Sequence, residues 1–82
     1  MITNDEAKRN LAANLKRLMG YRGWTQSELA REIGATRSSI CSIVNGQQIP
    51  SVARVARLAE VLDTSIDLLL SPPPERKSKN SP

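Results

Sequence analysis

An all-α domain of five short helices is what this sequence predicts, and two observations carry the prediction. Helix-start signals recur in order along the chain: Thr3-Asn4-Asp5-Glu6, Thr25-Gln26-Ser27-Glu28, Thr36, Pro50-Ser51 and Ser65 each precede an apolar pattern of helical period. Strand signals are almost absent. There is no alternating run and no Asn-Gly hairpin between β-rich segments, and Tyr21 and Trp24 are the only aromatic residues.

Each element follows from its own residues. Thr3 caps the first helix and Glu6 answers it, after which Ala7, Leu11, Leu15 and Leu18 recur at helical spacing on one face. Gly20 and Gly23 bracket its end. The Thr25–Glu28 capping box opens the second helix, with Leu29, Ala30 and Ile33 inward and Gly34 as a left-handed stop. Thr36 caps the third, which runs to about Asn45 and stops at Gly46. Beyond Pro50-Ser51, a broad apolar face is expected on the fourth helix from Val52, Val55, Ala56, Leu58, Ala59 and Leu62. Asp63-Thr64-Ser65 leads to a final turn or two from Ile66 to Leu70. Pro72, Pro73 and Pro74 cannot continue a helix, since proline lacks a donor and clashes with the preceding turn. A domain is therefore expected over residues 1–70, with a Pro-rich, basic, disordered tail over 71–82.

Size and charge limit what such a domain does. A chain of 82 residues holds one small domain. Net charge is +4, and Arg76, Lys77 and Lys79 against Glu75 supply half of it, so the rest of the chain is nearly balanced. A mildly basic domain with a basic tail is compatible with a polyanion partner. The single Cys excludes an internal disulfide and fits a reducing compartment. The opening MITNDEAKRN is too polar for a signal peptide, and no apolar run approaches the ~20 residues that span a bilayer. A cytoplasmic protein without a membrane partner is expected. With no His, no base evident beside Cys41, and acids that are scattered or sit at helix starts, neither a metal site nor an activated nucleophile can be built. No catalytic residue, cofactor or small-molecule ligand is expected.

The stretch from Thr25 to Gly46 is the most informative. Helical spacing places Arg37, Ser38, Cys41, Ser42 and Asn45 on one side of the third helix and Ile40, Ile43 and Val44 on the other. Burial of the apolar side holds a row of small polar groups, led by one Arg, rigidly outward. Such a row suits base edges in a major groove about 12 Å wide. Over roughly residues 11–70 the chain resembles the helix-turn-helix domain of the lambdoid phage repressor and Cro family, the XRE type. Thr25-Gln26, Leu29-Ala30, Gly34, Asn45-Gly46, Pro50-Ser51, the aliphatic fourth helix and Ser65–Leu70 carry the resemblance by their order and spacing.

That resemblance implies a compact five-helix, lambda-repressor-like domain with the helix-turn-helix at helices 2 and 3. It implies a bacterial or prophage regulator, a repressor by expectation, that binds an inverted-repeat double-stranded DNA operator as a homodimer. Gln26 with Thr25, and Asn45 with Gln47 and the amides after Gly46, fall at phosphate-binding positions; simple helix capping is the alternative for Gln26 and Asn45. Arg37, Ser38 and Ser42 fall at base-reading positions, and Thr36 adds a methyl group near a thymine to its capping role. A guanidinium at Arg37 donates twice to guanine, so a guanine is expected in each half-site; a phosphate clamp or a surface ion pair is the alternative. Ile66, Leu69 and Leu70 are candidate dimer contacts, with closure of the core as the other possibility.

Two departures from the family stand out. An Arg late in the first helix and a Glu late in the third, paired in many members, are here Met19 and Val44. With both charges gone together, an apolar contact is expected in place of the pair. Trp24 stands where relatives carry an aliphatic residue and is expected to cover the core between the first two helices. Two further functions compete: an antitoxin or other protein-interaction module, and the amino-terminal domain of a longer phage-type repressor with Pro72–Pro74 starting its linker.

Overall fold

The computed structural model describes residues 3–74, so the greater part of the expected tail lies outside the described residues. Five helices follow in order: α1 (Asn4–Arg22), α2 (Gln26–Ile33), α3 (Arg37–Val44), α4 (Val52–Val61) and α5 (Ile66–Leu70). Every start is capped as the sequence predicts. The hydroxyls of Thr3, Thr25, Thr36, Ser51 and Ser65 each accept from an amide of the first turn, and α1 and α2 complete the capping box with Glu6 and Glu28.

The first four helices end alike. A residue in the left-handed region follows each, and the chain bonds back twice into the last turn: Trp24 N–H to the Met19 carbonyl at 3.0 Å, Ala35 to Ala30 at 2.9 Å, Gln47 to Ser42 at 2.9 Å, Thr64 to Ala59 at 2.9 Å. Gly23, Gly34 and Gly46 occupy three of those positions, and Asp63 at φ 56° the fourth. Asp tolerates this conformation better than most non-glycine residues, which makes the short α4–α5 connection possible without a glycine.

Packing joins α1 to α3 and α5, α2 to α3 and α4, and α4 to α5. Leu11, Leu15, Leu29, Ile40, Ile43, Leu58 and Leu69 at its centre have no exposed surface. Each such side chain contributes about 1.5–3 kcal/mol relative to remaining in water. Trp24 packs half-buried against this core, as expected, with the Arg22 guanidinium 5.9 Å above its ring centroid.

Two expectations need correction. The apolar face of α4 is narrower than its sequence implied: Val55, Leu58 and Ala59 are buried, whereas Val52 is 78% exposed and Ala56 is also outside. Val52 sits in the first turn of α4, beside an apolar groove that no other described element fills. Leu69 is wholly buried, because the packing of α5 on α1 turns it into the core, so its side chain is not available to a second copy. Leu70 is half-buried against the same core, and Ile66 and Leu68 carry the outward apolar surface of α5.

One polar side chain belongs to the interior. Asn14 on α1 is fully buried, and its amide nitrogen lies 3.1, 2.8 and 2.8 Å from the carbonyl oxygens of Leu68, Leu69 and Ser71. Its own oxygen accepts from Arg17 at 3.2 Å, and Asn10, one turn earlier, donates to the Leu70 carbonyl at 2.9 Å. A five-residue helix cannot satisfy its own terminal carbonyls, so α1 supplies their donors. Asn14→Ala should therefore lower the unfolding free energy by about 2–4 kcal/mol, and the outer Asn10→Ala by about 1 kcal/mol. Urea denaturation of both variants checks this, and equal losses would show that burial at Asn14 adds nothing.

Candidate nucleic-acid interface

The helix pair α2–α3 places its residues by opposite demands on its two faces. Ile40, Ile43 and Val44 are at most 4% exposed, which fixes the rotation of α3 about its axis. Helical geometry then turns Arg37 and Ser38 fully outward, with Cys41 and Ser42 half-exposed behind them and Asn45 exposed at the far end. Arg37 and Asn45 stand about 12 Å apart along the helix at the standard rise. Ala30 is 3% exposed, small enough for α2 and α3 to approach closely, and Gly34 at φ 72° makes the turn between them.

The expected base-reading residues share one surface but differ in what they have free. Arg37 has no ion pair among the described residues; Arg57–Glu60 is the one pair found there. Its guanidinium is therefore available to a ligand. Thr36 is committed locally: its hydroxyl accepts from the Ser39 amide and donates to the Ser39 hydroxyl, both at 3.1 Å. Only its methyl group is left for recognition. Ser39 itself was not among the expected residues, and its place three positions after the cap is the signal that would have found it.

The expected phosphate-binding positions divide in the same way. Thr25 uses its hydroxyl oxygen to accept from Glu28 N–H at 3.1 Å, and Glu28 returns a carboxylate oxygen to Thr25 N–H at 2.8 Å. The Gln26 and Ser27 amides, which begin α2, have no intrahelical partner at its positive end, and the Gln26 side chain at that end is half-buried. At the other clamp, Asn45 donates weakly to Cys41 Sγ at 3.5 Å and remains exposed. The amides after it are less free than expected. Gly46 N–H bonds the Ile43 carbonyl at 3.0 Å and Gln47 N–H the Ser42 carbonyl at 2.9 Å, so both serve the end of α3. Gln47 offers its exposed side chain instead of its main chain.

A buried pair of helices behind an exposed polar row defines a helix-turn-helix domain. A model of the helix-turn-helix domain family matches residues 10–70, and the chain belongs to that family. It is similar to the HTH-type transcriptional regulator SutR of Escherichia coli K12, at 32% identity over 79% of this chain and 36% of that one. It also resembles a Neisseria meningitidis hypothetical transcription factor, at 30% identity over 80% of this chain and 62% of that protein. The chain thus spans between about a third and three-fifths of these relatives. Among solved structures, the biofilm master regulator SinR in complex with DNA superposes with a TM-score of 0.70 at 31% identity, covering 74% of this chain and 98% of that one. The fold also occurs within hydroxypropylphosphonic acid epoxidase from S. wedmorenis, at a TM-score of 0.76 and 26% identity over 89% of this chain and 39% of that enzyme.

Met19 and Val44, the positions of the missing family ion pair, lie in one buried cluster at 7% and 4% exposure. Met19→Arg alone should cost about 3 kcal/mol or more, because it buries a charge without a partner. Adding Val44→Glu should recover part of that loss in a double-mutant cycle followed by urea denaturation; strictly additive losses would show that the two sites do not communicate.

Proposed function

We propose that this protein is a sequence-specific double-stranded DNA-binding transcriptional regulator of the bacterial cytoplasm that inserts α3 into the major groove. The observation that carries this is the exposed Arg37, without an ion pair among the described residues, at the leading end of a helix whose opposite face is locked into the core. Family membership and the likeness to transcriptional regulators, one of them bound to DNA, support it. Gln26, with the Thr25 hydroxyl and the first amides of α2, holds one phosphate, and Asn45 with Gln47 holds another. Arg37, Ser38 and Ser42 read bases, and Thr36 offers a methyl group to thymine. No catalytic role is proposed, since the likeness to the epoxidase covers well under half of that enzyme.

The regulator acts as a homodimer on an inverted repeat, because one reading helix contacts only part of one groove face. The dimer contact is carried by Ile66 and Leu70 of the residues expected from the sequence, joined by Val52 and Ile49 in place of the buried Leu69. These side chains line an apolar groove with Pro50 and Val55, and Val52 and Ile66 are 78% and 37% exposed. A second copy suits it by symmetry: the same patch on two chains buries itself about a two-fold axis. Repression then follows where a bound dimer overlaps a promoter.

Two experiments test these assignments. Arg37→Ala should lose about 1–3 kcal/mol of specific affinity and relax the preference at one guanine per half-site; a binding-site selection that returns no guanine preference for the wild type would sink the assignment. Val52→Glu, on an exposed side chain, should leave folding intact and shift sedimentation from dimer to monomer on operator DNA. An unchanged dimer would place the contact elsewhere.

A further inference from the structure

The clamp at the end of α3 presents an electrostatic difficulty. A helix C-terminus carries roughly half an elementary negative charge, which repels a phosphate. The amides of Asn45, Gly46 and Gln47 are drawn back into α3 by the Cys41, Ile43 and Ser42 carbonyls, which leaves the Gln48 amide as the one main-chain donor of this turn without a backbone partner among the described residues. One neutral amide does not offset that end charge, so positive charge from outside the helix-turn-helix would strengthen a phosphate contact beside Asn45.

The fold provides it from α1. An open groove of about 600 Å³ runs between α1 and the end of α3, with Asn45 and Gly46 on one wall and Arg9, Ala12 and Lys16 on the other. Gly46 faces α1 here, where a side chain at its position would come into ordinary contact with Ala12 at 3.9 Å. Arg9 and Lys16 are exposed, seven residues apart and hence on one stripe of α1, and neither has an ion pair among the described residues. Pro73 also lines the groove, and no acidic residue does so among the described residues; Glu6 and Asp67 line a neighbouring pocket with Arg9, where Glu6 is engaged with the Thr3 N–H at 2.9 Å.

We propose that Arg9 and Lys16 form a third DNA-backbone site, which carries the phosphate contact across from the Asn45 clamp onto α1. The inference rests on the DNA-binding function proposed above and adds to it two cations outside the helix-turn-helix. Their ligand is a phosphodiester of the duplex, selected by charge and not by sequence, so they add affinity without base preference. They also cancel the negative end of α3 at the place where the DNA backbone passes it.

Binding of the full chain to a 20-bp duplex of arbitrary sequence, followed by fluorescence anisotropy between about 50 and 200 mM NaCl, tests the site. Lys16→Gln and Arg9→Gln should each reduce the slope of log K against log salt by about 0.9. Arg57→Gln on α4, which removes the same formal charge at a residue that pairs with Glu60 and does not line the groove, should leave the slope near that of the wild type. Unchanged slopes in the Lys16 and Arg9 variants overturn the site while leaving DNA binding intact. An equal loss in Arg57→Gln also overturns it, because net charge alone then accounts for the effect. A wild-type chain with no salt-dependent affinity for duplex DNA overturns both this site and the function it rests on.

Discussion

Burial of Ile40, Ile43 and Val44 is the constraint on which the rest of the molecule depends. These three side chains set the rotation of α3, and every outward group on that helix inherits its direction from them. A turn of one residue about the axis would swing Arg37 through about 100° and bring Ser38 into its place. Ala30 and Gly34 serve the same end: one lets α2 approach, and the other turns the chain sharply enough to keep α3 against it. The proposed reading surface is thus largely a by-product of core packing, with only the Thr36–Ser39 bonds and the weak Asn45–Cys41 contact within it.

Much of the polarity around that surface is already committed to the fold. Thr25, Thr36 and the Gln47 main chain lie at positions that would contact DNA, yet each has its strongest hydrogen bond inside a cap. That commitment divides labour between residues. Caps and turns hold the ends of α2 and α3 in place, whereas the side chains of Gln26, Arg37, Ser38 and Gln47 make no hydrogen bond among the described residues and are left for the proposed recognition. The arrangement is pre-organised: few groups must break an internal bond to meet a ligand, so little interaction energy is lost on docking.

Local features were legible in the sequence and tertiary ones were not. The five caps, the glycine stops and the apolar face of α3 depend on residues within one or two turns of each other, so the pattern alone locates them. Met19 and Val44 are 25 positions apart and were paired only through the family resemblance; both lie in the core cluster. Val52 and Leu69 were misjudged because a periodic pattern says which face is apolar but not where the neighbouring helix ends. Asn14 was invisible as a structural residue. Its partners are 54 to 57 positions away, and a single Asn on an apolar face has no local signature of the carbonyls it serves. The role of Asp63 was hidden because its left-handed turn uses a residue that ordinarily marks loops and caps.

The asparagines of α1 also decide how the two candidate surfaces relate. Asn10 and Asn14 fasten the end of α5 to one side of α1, while Ala12 seats Gly46 and the end of α3 on another. Through α1, then, the apolar groove beside α5 and the polar row of α3 are joined within one packed body. In a two-fold dimer, the separation of the reading helices would be set by that body and by the groove that joins the copies, with no flexible linker between them. Half-site spacing would be a geometric property in such a dimer, fixed in part by side chains, Asn14 among them, that touch neither DNA nor the second copy. A loosened Asn14 tether would let α5 move against α1, and the penalty would appear as lost tolerance for one spacing before any loss of contact to a base.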